Sequence, residues 1–348
     1  MASRAQQRRQ WLQGLFGDAP IAIHSASTDA SFRSYYRLRC EAPPAGGDSP
    51  LPSYILMDAP PDQENCQAFI TVSRQLARAG LNVPKLIATD LRQGFLLLSD
   101  LGTRDYLRVL DSDSAGPLYA DALRALVQMQ TRVDAGDLPG YDATLLNREM
   151  QLFTDWFLHR HLRLTAGKEL LAILAHSFEF LSQACLEQPR VFVHRDYHSR
   201  NLMRTDAANP GILDYQDAVS GPISYDLVSL LRDVYIRWPQ ARIEHWLDQY
   251  FALACGAGLL DRGDRARLGR WFDLTGIQRH LKIAGIFSRL YYRDGKARYL
   301  ADIPLTLSYL LEVAGRYPEL DQLSAALTEL DIMGAHQRAS ARLPDRAP

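Results

Sequence analysis

The side chains best suited to chemistry lie close together in the chain and at a defined spacing. Asp196 directly follows His194 and Arg195, and Asn201 follows Asp196 after four intervening residues. A further carboxylate, Asp214, stands just beyond the next apolar segments. A structural loop with buried, capped polar residues would explain each of these residues singly. It would not explain the set, so we favour a functional site.

Short strands are expected to position these side chains. The apolar residues 191–193 lead into the loop, and residues 202–203 and 212–213 predict two further strands. The turn-forming residues 206–211 join these two strands. The sequence therefore predicts a hairpin whose second strand ends at Asp214.

Phosphoryl transfer is the chemistry that these residue types suit. That reaction needs a carboxylate near the acceptor hydroxyl and oxygen ligands for Mg²⁺. We predict that Asp196 is the catalytic base and that Asn201 and Asp214 bind Mg²⁺. The spacing H-R-D-x-x-x-x-N is typical of kinase catalytic loops, so ATP and Mg²⁺ are the predicted cofactors.

Asp226, in the first turn of a later predicted helix, is expected to brace this loop rather than to contact substrate.

Composition and charge indicate a cytoplasmic protein. The chain has 348 residues and a formal net charge of -1, which disfavours nucleic acid or an anionic membrane as a partner. Its cysteines are far apart and include no C-x-x-C pair, which disfavours a disulfide framework or a zinc site. No segment reaches the roughly 20 apolar residues of a membrane span, and the N-terminus lacks the apolar core of a secretory signal. We therefore expect a cytoplasmic monomer that binds a small molecule.

The first part of the chain predicts a small antiparallel sheet that binds nucleotide. Two strand-like segments flank the turn 25–33, whose backbone and hydroxyl groups could hold phosphate although it is poor in glycine. Alone this would be an ordinary hairpin, and its position upstream of the catalytic loop favours the nucleotide site. Segment 99–102 would offer backbone groups to adenine. The predicted nucleotide-binding residues are Ser31, Phe32, Arg33, Ser99 and Leu101.

Met57 stands where a kinase would carry its phosphate-anchoring lysine, in a V-A-I-K pattern. The sequence does not decide which basic residue replaces that lysine, and the candidates are Arg33, Arg37 and Lys85. Residues 60–79 predict a helix with Glu64 in its first turn. We interpret Glu64 as an N-terminal helix acid rather than as the partner of the replacement cation.

The motifs resemble the aminoglycoside phosphotransferase (choline-kinase-like) branch of the protein-kinase-like fold. That branch pairs an H-x-D-x-x-x-x-N loop with a downstream I-x-D-[WY]-[EQ] strand, matched here by residues 194–201 and 212–216. Further segments resemble the cell-wall sugar kinases of this branch: residues 27–38, 56–61, 94–102 and 221–233. The resemblance implies phosphorylation of the anomeric hydroxyl of N-acetylmuramate or N-acetylglucosamine by Mg-ATP. It also implies the roles assigned above to the three site residues, and it implies that Met57 is compatible with activity.

These observations together predict an α+β, bilobal protein-kinase-like fold. We expect a small antiparallel β lobe, residues 1–101, to bind the nucleotide. From residue 104 onward, apolar residues at steps of three and four predict helices. We therefore expect residues 102–348 to form a mainly helical catalytic and substrate-binding lobe, with residues 337–348 as a flexible tail.

The composition of one basic segment indicates the charge of the substrate independently of the family resemblance. Residues 262–298 hold ten Arg or Lys and three acidic residues. At helical spacing Arg279, Lys282 and Arg289 share one side, so we predict that these three bind substrate. Such a site would suit an anionic ligand, such as a lactyl carboxylate, better than a polycationic aminoglycoside. The simpler interpretation is a solvated basic helix face, which is the commoner arrangement.

Two other functions stay open at this point. A kinase of this kind could act on another small alcohol, either an aminoglycoside or an amino alcohol. Met57 and the glycine-poor turn would fit a nucleotide-binding pseudokinase. Such a module has no need of Asp196, Asn201 and Asp214 together, so we favour the enzyme.

Overall fold

The structure, a computed structural model, describes residues 3–28, 32–45 and 51–343. Helices dominate after residue 105, as the apolar spacing predicts. In chain order the α-helices are α1 (Arg4–Phe16), α2 (Cys66–Arg78), α3 (Tyr106–Val109), α4 (Ala115–Arg132), α5 (Ala143–Leu152), α6 (Lys168–Leu186), α7 (Tyr225–Leu231), α8 (Gln240–Gly256), α9 (Arg265–Asp294), α10 (Ile303–Ala314), α11 (Asp321–Glu329) and α12 (Ile332–Ser340). A π-helix, Phe153–His161, continues α5.

The strands are short, and all of their pairings in sheets are antiparallel. In chain order they are β1 (Ala22–Thr28), β2 (Ser34–Arg39), β3 (Tyr54–Asp58), β4 (Leu86–Asp90), β5 (Phe95–Ser99), β6 (Arg190–Val193), β7 (Leu202–Met203), β8 (Gly211–Ile212) and β9 (Val219–Pro222). The sequence analysis missed β9, which pairs with β6.

The chain forms two compact units, each discontinuous in sequence. The first unit comprises the residues up to Tyr106 together with Asn201–Asp217, and the second comprises Leu107–Arg200 together with the residues from Ala218 onward. The first unit is built on a five-stranded sheet with the strand order β1-β2-β3-β5-β4. Helix α1 packs on this sheet through Leu12 and Phe16, which join a buried cluster with Leu38 and Leu56. The predicted small antiparallel sheet is therefore confirmed.

The hairpin of β7 and β8 belongs to the first unit. Met203 pairs with Gly211, so the predicted hairpin is confirmed. The backbone N–H of Ile212 donates to the carbonyl of Asn82 at 2.8 Å, which ties the hairpin to the loop before β4. The predicted domain boundary at residue 101 assigns this hairpin to the second domain, whereas its backbone bonding groups it with the first unit. The domain assignment itself stays a prediction.

Helix α2 begins six residues later than predicted. Asn65 caps it, because the Asn65 side chain accepts the N–H of Gln67 at 2.8 Å. Residues before the cap form turns, in which the N–H of Glu64 donates to the carbonyl of Pro60 at 2.9 Å. The prediction that Glu64 lies in the first helical turn is therefore wrong, and its carboxylate is free to bind elsewhere in the first unit.

Helix α9 forms the centre of the second unit. Apolar residues along its length, such as Leu274 and Leu281, are fully buried in a hydrophobic core cluster of this unit. The helix approaches the end of α5 closely at Gly285, where a Cβ atom would lie 2.3 Å from the carbonyl carbon of Leu152. Only glycine allows this contact without a backbone shift, so Gly285 sets the distance between the two helices.

Helix α6 is the one described helix that is long and apolar enough to cross a membrane, judged by length and composition only. Its side chains Leu174, Phe178 and Leu181 are buried in the core of the second unit. Packing against that core accounts for these three apolar residues of α6.

The predicted flexible tail is helical over its first residues. Helix α12 extends to Ser340, and its N-terminus is capped by Asp331, whose side chain accepts the N–H of Gly334. Arg338 also pairs with Asp331 at 2.8 Å, and His336 is buried. These contacts hold residues 337–340 in the helix, and residues 344–348 lie outside the described part of the chain.

Candidate active site

A buried carboxylate on α7 holds the loop that carries Asp196. Asp226 accepts the backbone N–H groups of His194 and Arg195, at 2.6 and 2.9 Å. Arg195 has a φ of +78°, a left-handed conformation that costs about 1–3 kcal/mol in a residue other than glycine. The expected bracing role of Asp226 is confirmed by these bonds. Burial raises the pKa of Asp226 to about 7, against the opposing effect of the two backbone donors.

Cations of the second unit surround the Asp196 carboxylate. Burial by itself would raise the pKa of Asp196, because a charged group is disfavoured away from water. Nearby basic side chains outweigh burial and hold its pKa below the ordinary value; these are Lys282, His198, Arg279 and Arg195. The carboxylate is therefore ionised at neutral pH, and it can accept a proton from an acceptor hydroxyl.

A second buried carboxylate, Glu149 on α5, binds two of these cations. Its Oε1 lies 3.2 Å from Lys282 Nζ and also pairs with the guanidinium of Arg195. The Tyr141 hydroxyl donates to Oε2 of Glu149, and Lys282 Nζ donates to the Tyr225 hydroxyl at 2.9 Å. Burial would raise the pKa of Glu149, but Lys282 and Arg195 hold it below the ordinary value. The network therefore fixes two of the cations that act on the candidate base.

The three predicted substrate-binding residues all lie on α9, in different surroundings. Arg279 is 2% exposed, and within the described part of the chain its Nε and Nη1 atoms have no hydrogen-bond partner. Lys282 is 6% exposed and forms an ion pair with Glu149. Arg289 is half-buried, and its Nε also lacks a partner among the described residues. The interpretation as a solvated basic face is wrong for Arg279 and Lys282, because neighbouring elements cover α9, the central helix of the second unit, on these sides.

The first unit brings the two predicted Mg²⁺ ligands together. Asn201 Nδ2 lies 3.4 Å from Asp214 Oδ2, and Gln216 Nε2 donates to Asp214 Oδ1 at 2.7 Å. Asp214 has a φ of +63°, a left-handed conformation in which the chain turns directly after β8. A carboxylate and an amide carbonyl are oxygen ligands of the kind that Mg²⁺ prefers. The residues present therefore fit a magnesium ion.

The predicted phosphate-binding turn lies in the first unit, and its residue Ser31 is outside the described residues. The ring of Phe32 is exposed, while its backbone N–H donates to Glu64 Oε1 at 3.0 Å. Arg33 Nε lies 3.5 Å from Glu64 Oε2. Glu64 therefore binds both the backbone and the cation of this turn, which corrects its interpretation as a helix-terminal acid.

The two predicted adenine-binding residues lie at the end of β5. The Ser99 N–H donates to the Lys85 carbonyl at 3.0 Å, so the sheet already uses this donor. The Ser99 hydroxyl accepts the Lys85 N–H at 2.8 Å. Leu101 packs against β8, since a Cβ atom on Gly211 would lie 2.8 Å from Leu101 Cδ1. Leu101 thus lies beside the strand that leads to Asp214.

Met57 is fully buried, and the three candidates for the missing lysine differ in their partners. Arg37 Nε lies 2.5 Å from Asp100 Oδ2, and Arg37 Nη2 donates to the carbonyl of Gly102 at 2.8 Å. Lys85 is exposed. Arg33 alone among the three pairs with an acid next to α2, as a kinase lysine pairs with its helix glutamate. Of the three candidates, Arg33 has the pairing most similar to that of the kinase lysine.

The sequence analysis missed two acidic residues of the second unit. Glu149 gave no signal, because a single acid in a predicted helix is ordinarily solvated. Asp233 accepts both the N–H and the hydroxyl of Ser199, at 2.9 and 2.5 Å. It also accepts the N–H of Tyr235 at 3.0 Å. The run of apolar residues before Asp233 could have indicated that this acid is buried, as it is.

Solved structures with similar folds support the architecture. An aminoglycoside phosphotransferase, APH(2'')-Ib with bound ADP, superposes with a TM-score of 0.57 at 13% identity, covering 90% of this chain and 99% of that chain. A choline/ethanolamine kinase family protein from Mesorhizobium loti superposes with a TM-score of 0.59 at 14% identity, covering 97% of this chain and 99% of that chain. The predicted protein-kinase-like fold is therefore confirmed.

Sequence relatives carry the comparison further. A Pseudomonas putida protein named N-acetylmuramate/N-acetylglucosamine kinase is 44% identical over 337 residues, which cover 94% of this chain and 96% of that protein. A Pseudomonas aeruginosa protein of the same name is 45% identical over 338 residues, covering 94% and 97%. The resemblance predicted from the motifs is confirmed. Residues 23–268 also match the model of the phosphotransferase enzyme family, and the chain belongs to that family.

Proposed function

We propose that this phosphotransferase uses Mg-ATP to phosphorylate the anomeric hydroxyl of an amino sugar, N-acetylmuramate or N-acetylglucosamine. The observation that carries the proposal is the likeness, at 44–45% identity over 94% of the chain, to two proteins named for these sugars. The product would be a sugar 1-phosphate that feeds the recycling of cell-wall precursors. The protein would act in the cytoplasm as a monomer.

The catalytic base in this proposal is Asp196. Its carboxylate is held ionised by the neighbouring cations, so it can accept the proton of the acceptor hydroxyl. An anomeric hydroxyl is more acidic than an ordinary alcohol. Asp196 therefore needs to accept the proton only late, in a loose transition state in which bond formation lags behind bond breaking.

The remaining roles concern the nucleotide. Asn201 and Asp214 would hold Mg²⁺ through their oxygen atoms, and the bound ion would neutralise charge on the phosphates of ATP. Ser31, Phe32 and Arg33 would bind the phosphates, and the segment from Ser99 to Leu101 would lie along adenine. The ion pair of Arg33 with Glu64 supports Arg33 as the substitute for the usual lysine.

The charge of the second unit favours an amino sugar over the two alternative substrates. Arg279, Lys282 and Arg289 lie on one helix, and Arg279 is buried without a hydrogen-bond partner for two of its nitrogens among the described residues. A polycationic aminoglycoside or a quaternary amine would be repelled by such a group. The intact set of Asp196, Asn201 and Asp214 argues against a pseudokinase.

The test is ADP release from Mg-ATP by the purified protein with a panel of acceptors. The panel contains N-acetylmuramate, N-acetylglucosamine, kanamycin, choline and a blank without acceptor. We expect release with one or both sugars, and phosphorus NMR should identify a 1-phosphate. Turnover of kanamycin or choline in place of the sugars would discard the proposed substrate. ATP binding without turnover of any acceptor would favour the pseudokinase.

A further inference from the structure

Arg279 has no carboxylate partner among the described residues, whereas Lys282 and Arg195 both pair with Glu149. Arg279 lies on α9 with 2% of its surface exposed, and its Nε and Nη1 atoms have no hydrogen-bond partner in the part of the chain that the structure describes. A buried guanidinium with unpaired N–H groups is costly, because water no longer solvates the charge. A bound ligand or an ordered water molecule supplies the missing acceptors of such a group.

Two of the other nearby basic groups are already neutralised. Glu149 pairs with Lys282 at 3.2 Å and also with Arg195, so one buried carboxylate serves both. Of the three predicted substrate-binding residues, Lys282 is therefore occupied by the protein itself. Lys282 is therefore placed to orient the loop around Asp196 rather than to bind an anionic group of a ligand.

Arg279 lies close enough to the candidate base to act on it electrostatically. Its charge lowers the pKa of Asp196 and of Asp226, in each case as a smaller effect than burial. It also acts on His198, whose Nδ1 is buried without a hydrogen-bond partner among the described residues. Two side chains with unpaired polar atoms therefore act electrostatically on the Asp196 carboxylate.

We propose that Arg279 binds the lactyl carboxylate of N-acetylmuramate and is the residue by which this protein distinguishes that sugar from N-acetylglucosamine. The inference rests on the proposed function. The two sugars share the pyranose ring, the acetamido group and the anomeric hydroxyl, and they differ in the lactyl ether, which carries the carboxylate. A guanidinium matches a carboxylate with two parallel N–H donors, which a lysine does not offer. N-Acetylglucosamine would leave Arg279 without its acceptor.

The experiment compares kcat/KM for both sugars in the wild type and in Arg279→Gln. For N-acetylmuramate we expect a fall of about 10- to 100-fold, mainly through KM, because charge-assisted hydrogen bonds are lost. For N-acetylglucosamine we expect a loss of no more than about threefold, from the weaker electrostatic support of Asp196 alone, since this sugar has no group that pairs with the guanidinium. The methyl ester of N-acetylmuramate keeps the bulk of the lactyl group without its charge. The wild type should prefer the acid over the ester, and Arg279→Gln should abolish this preference.

The ratio of the two kcat/KM values does not depend on the fraction of active enzyme, so partial unfolding of a variant does not affect it. Arg279→Lys, which keeps the charge but not the forked geometry, should give a ratio between those of the wild type and Arg279→Gln. Arg293→Gln is the matched control on the same helix, where Arg293 is exposed and pairs with Asp294; its ratio should equal that of the wild type. An equal loss for both sugars in Arg279→Gln would overturn the proposal, because Arg279 would then serve a group that both share. Failure of the wild type to phosphorylate either sugar would instead refute the proposed function.

Discussion

Glu149 Oε1 lies 3.2 Å from Lys282 Nζ, and both side chains are buried. The pair joins α5 to α9, and Glu149 also holds Arg195 of the loop that carries Asp196. Burial would lower the pKa of Lys282, but Glu149 and Tyr225 outweigh it and raise that pKa. The protein thus keeps a permanent positive charge beside the candidate base, at the cost of burying an acid.

Replacing Glu149 by Gln should destabilise the protein by about 3–5 kcal/mol, because two buried cations would lose their counter-ion. Urea unfolding monitored by circular dichroism measures the effect. Glu244→Gln is the matched control, since Glu244 pairs with Arg265 at an exposed position and its loss should cost less than about 1 kcal/mol. Similar losses in the two variants would show that the buried network contributes little to stability.

Asp196→Asn should lower kcat by about 10²- to 10⁴-fold, since an amide cannot accept the proton of the acceptor hydroxyl. ATP binding, measured by calorimetry, should remain within a small factor of the wild type. Retention of most turnover in this variant would remove Asp196 from the role of catalytic base.

Asp214→Asn should raise the Mg²⁺ concentration for half-maximal activity by at least about tenfold, because an anionic oxygen ligand is lost. A titration of ADP release against free Mg²⁺ measures the shift. Asp206→Asn on the same hairpin is the control, because the Asp206 side chain is 92% exposed and pairs with Arg104. An unchanged Mg²⁺ requirement in Asp214→Asn would contradict the assignment.

Gly285→Ala should destabilise the protein by about 1–3 kcal/mol, because the new methyl group would meet backbone atoms of Leu152 that cannot move as a side chain can. Gly269→Ala lies on the same helix, and its new methyl group would meet only the flexible end of Arg265, at 3.4 Å. That control should stabilise the protein by about 0.5–1 kcal/mol, since alanine is the better helix former. Thermal unfolding of the two variants should therefore shift in opposite directions, and a shared direction would refute the argument from close helix contact.

The buried pair of His161 and His336 should make the protein sensitive to acid. Their Nε2 and Nδ1 atoms lie 2.9 Å apart, and burial lowers the pKa of each to about 4, from an ordinary value near 6.5. Between these pH values the folded protein binds fewer protons than the unfolded chain. The free energy of unfolding should therefore fall as the pH falls from about 6.5 to about 4.

His336→Gln tests this expectation, because glutamine keeps hydrogen-bonding groups but takes up no proton in this range. Denaturation at a series of pH values should give a shallower dependence for the variant than for the wild type. Parallel curves would mean that the histidine pair does not determine the acid sensitivity.

The sequence by itself determined the chemistry of the site. The spacing of Asp196, Asn201 and Asp214 predicted the reaction class, and short strand-like segments next to turn residues predicted the β7–β8 hairpin and the first sheet. These features are local, since each depends on residues a few positions apart. The start of α2 was predicted less well, because the cap at Asn65 is decided by hydrogen bonds that a residue pattern does not show.

The tertiary structure decided which charges neutralise one another. The sequence presents Arg279 and Lys282 as equivalent members of one basic helix face. In the structure Glu149, which is distant in the chain, forms an ion pair with Lys282. Two nitrogens of Arg279 have no hydrogen-bond partner among the described residues. Pairing between helices α5 and α9 depends on their packing at Gly285, and no local pattern encodes that distance. The residue types indicated the class of reaction, and packing determined which of the two cations has a carboxylate partner among the described residues.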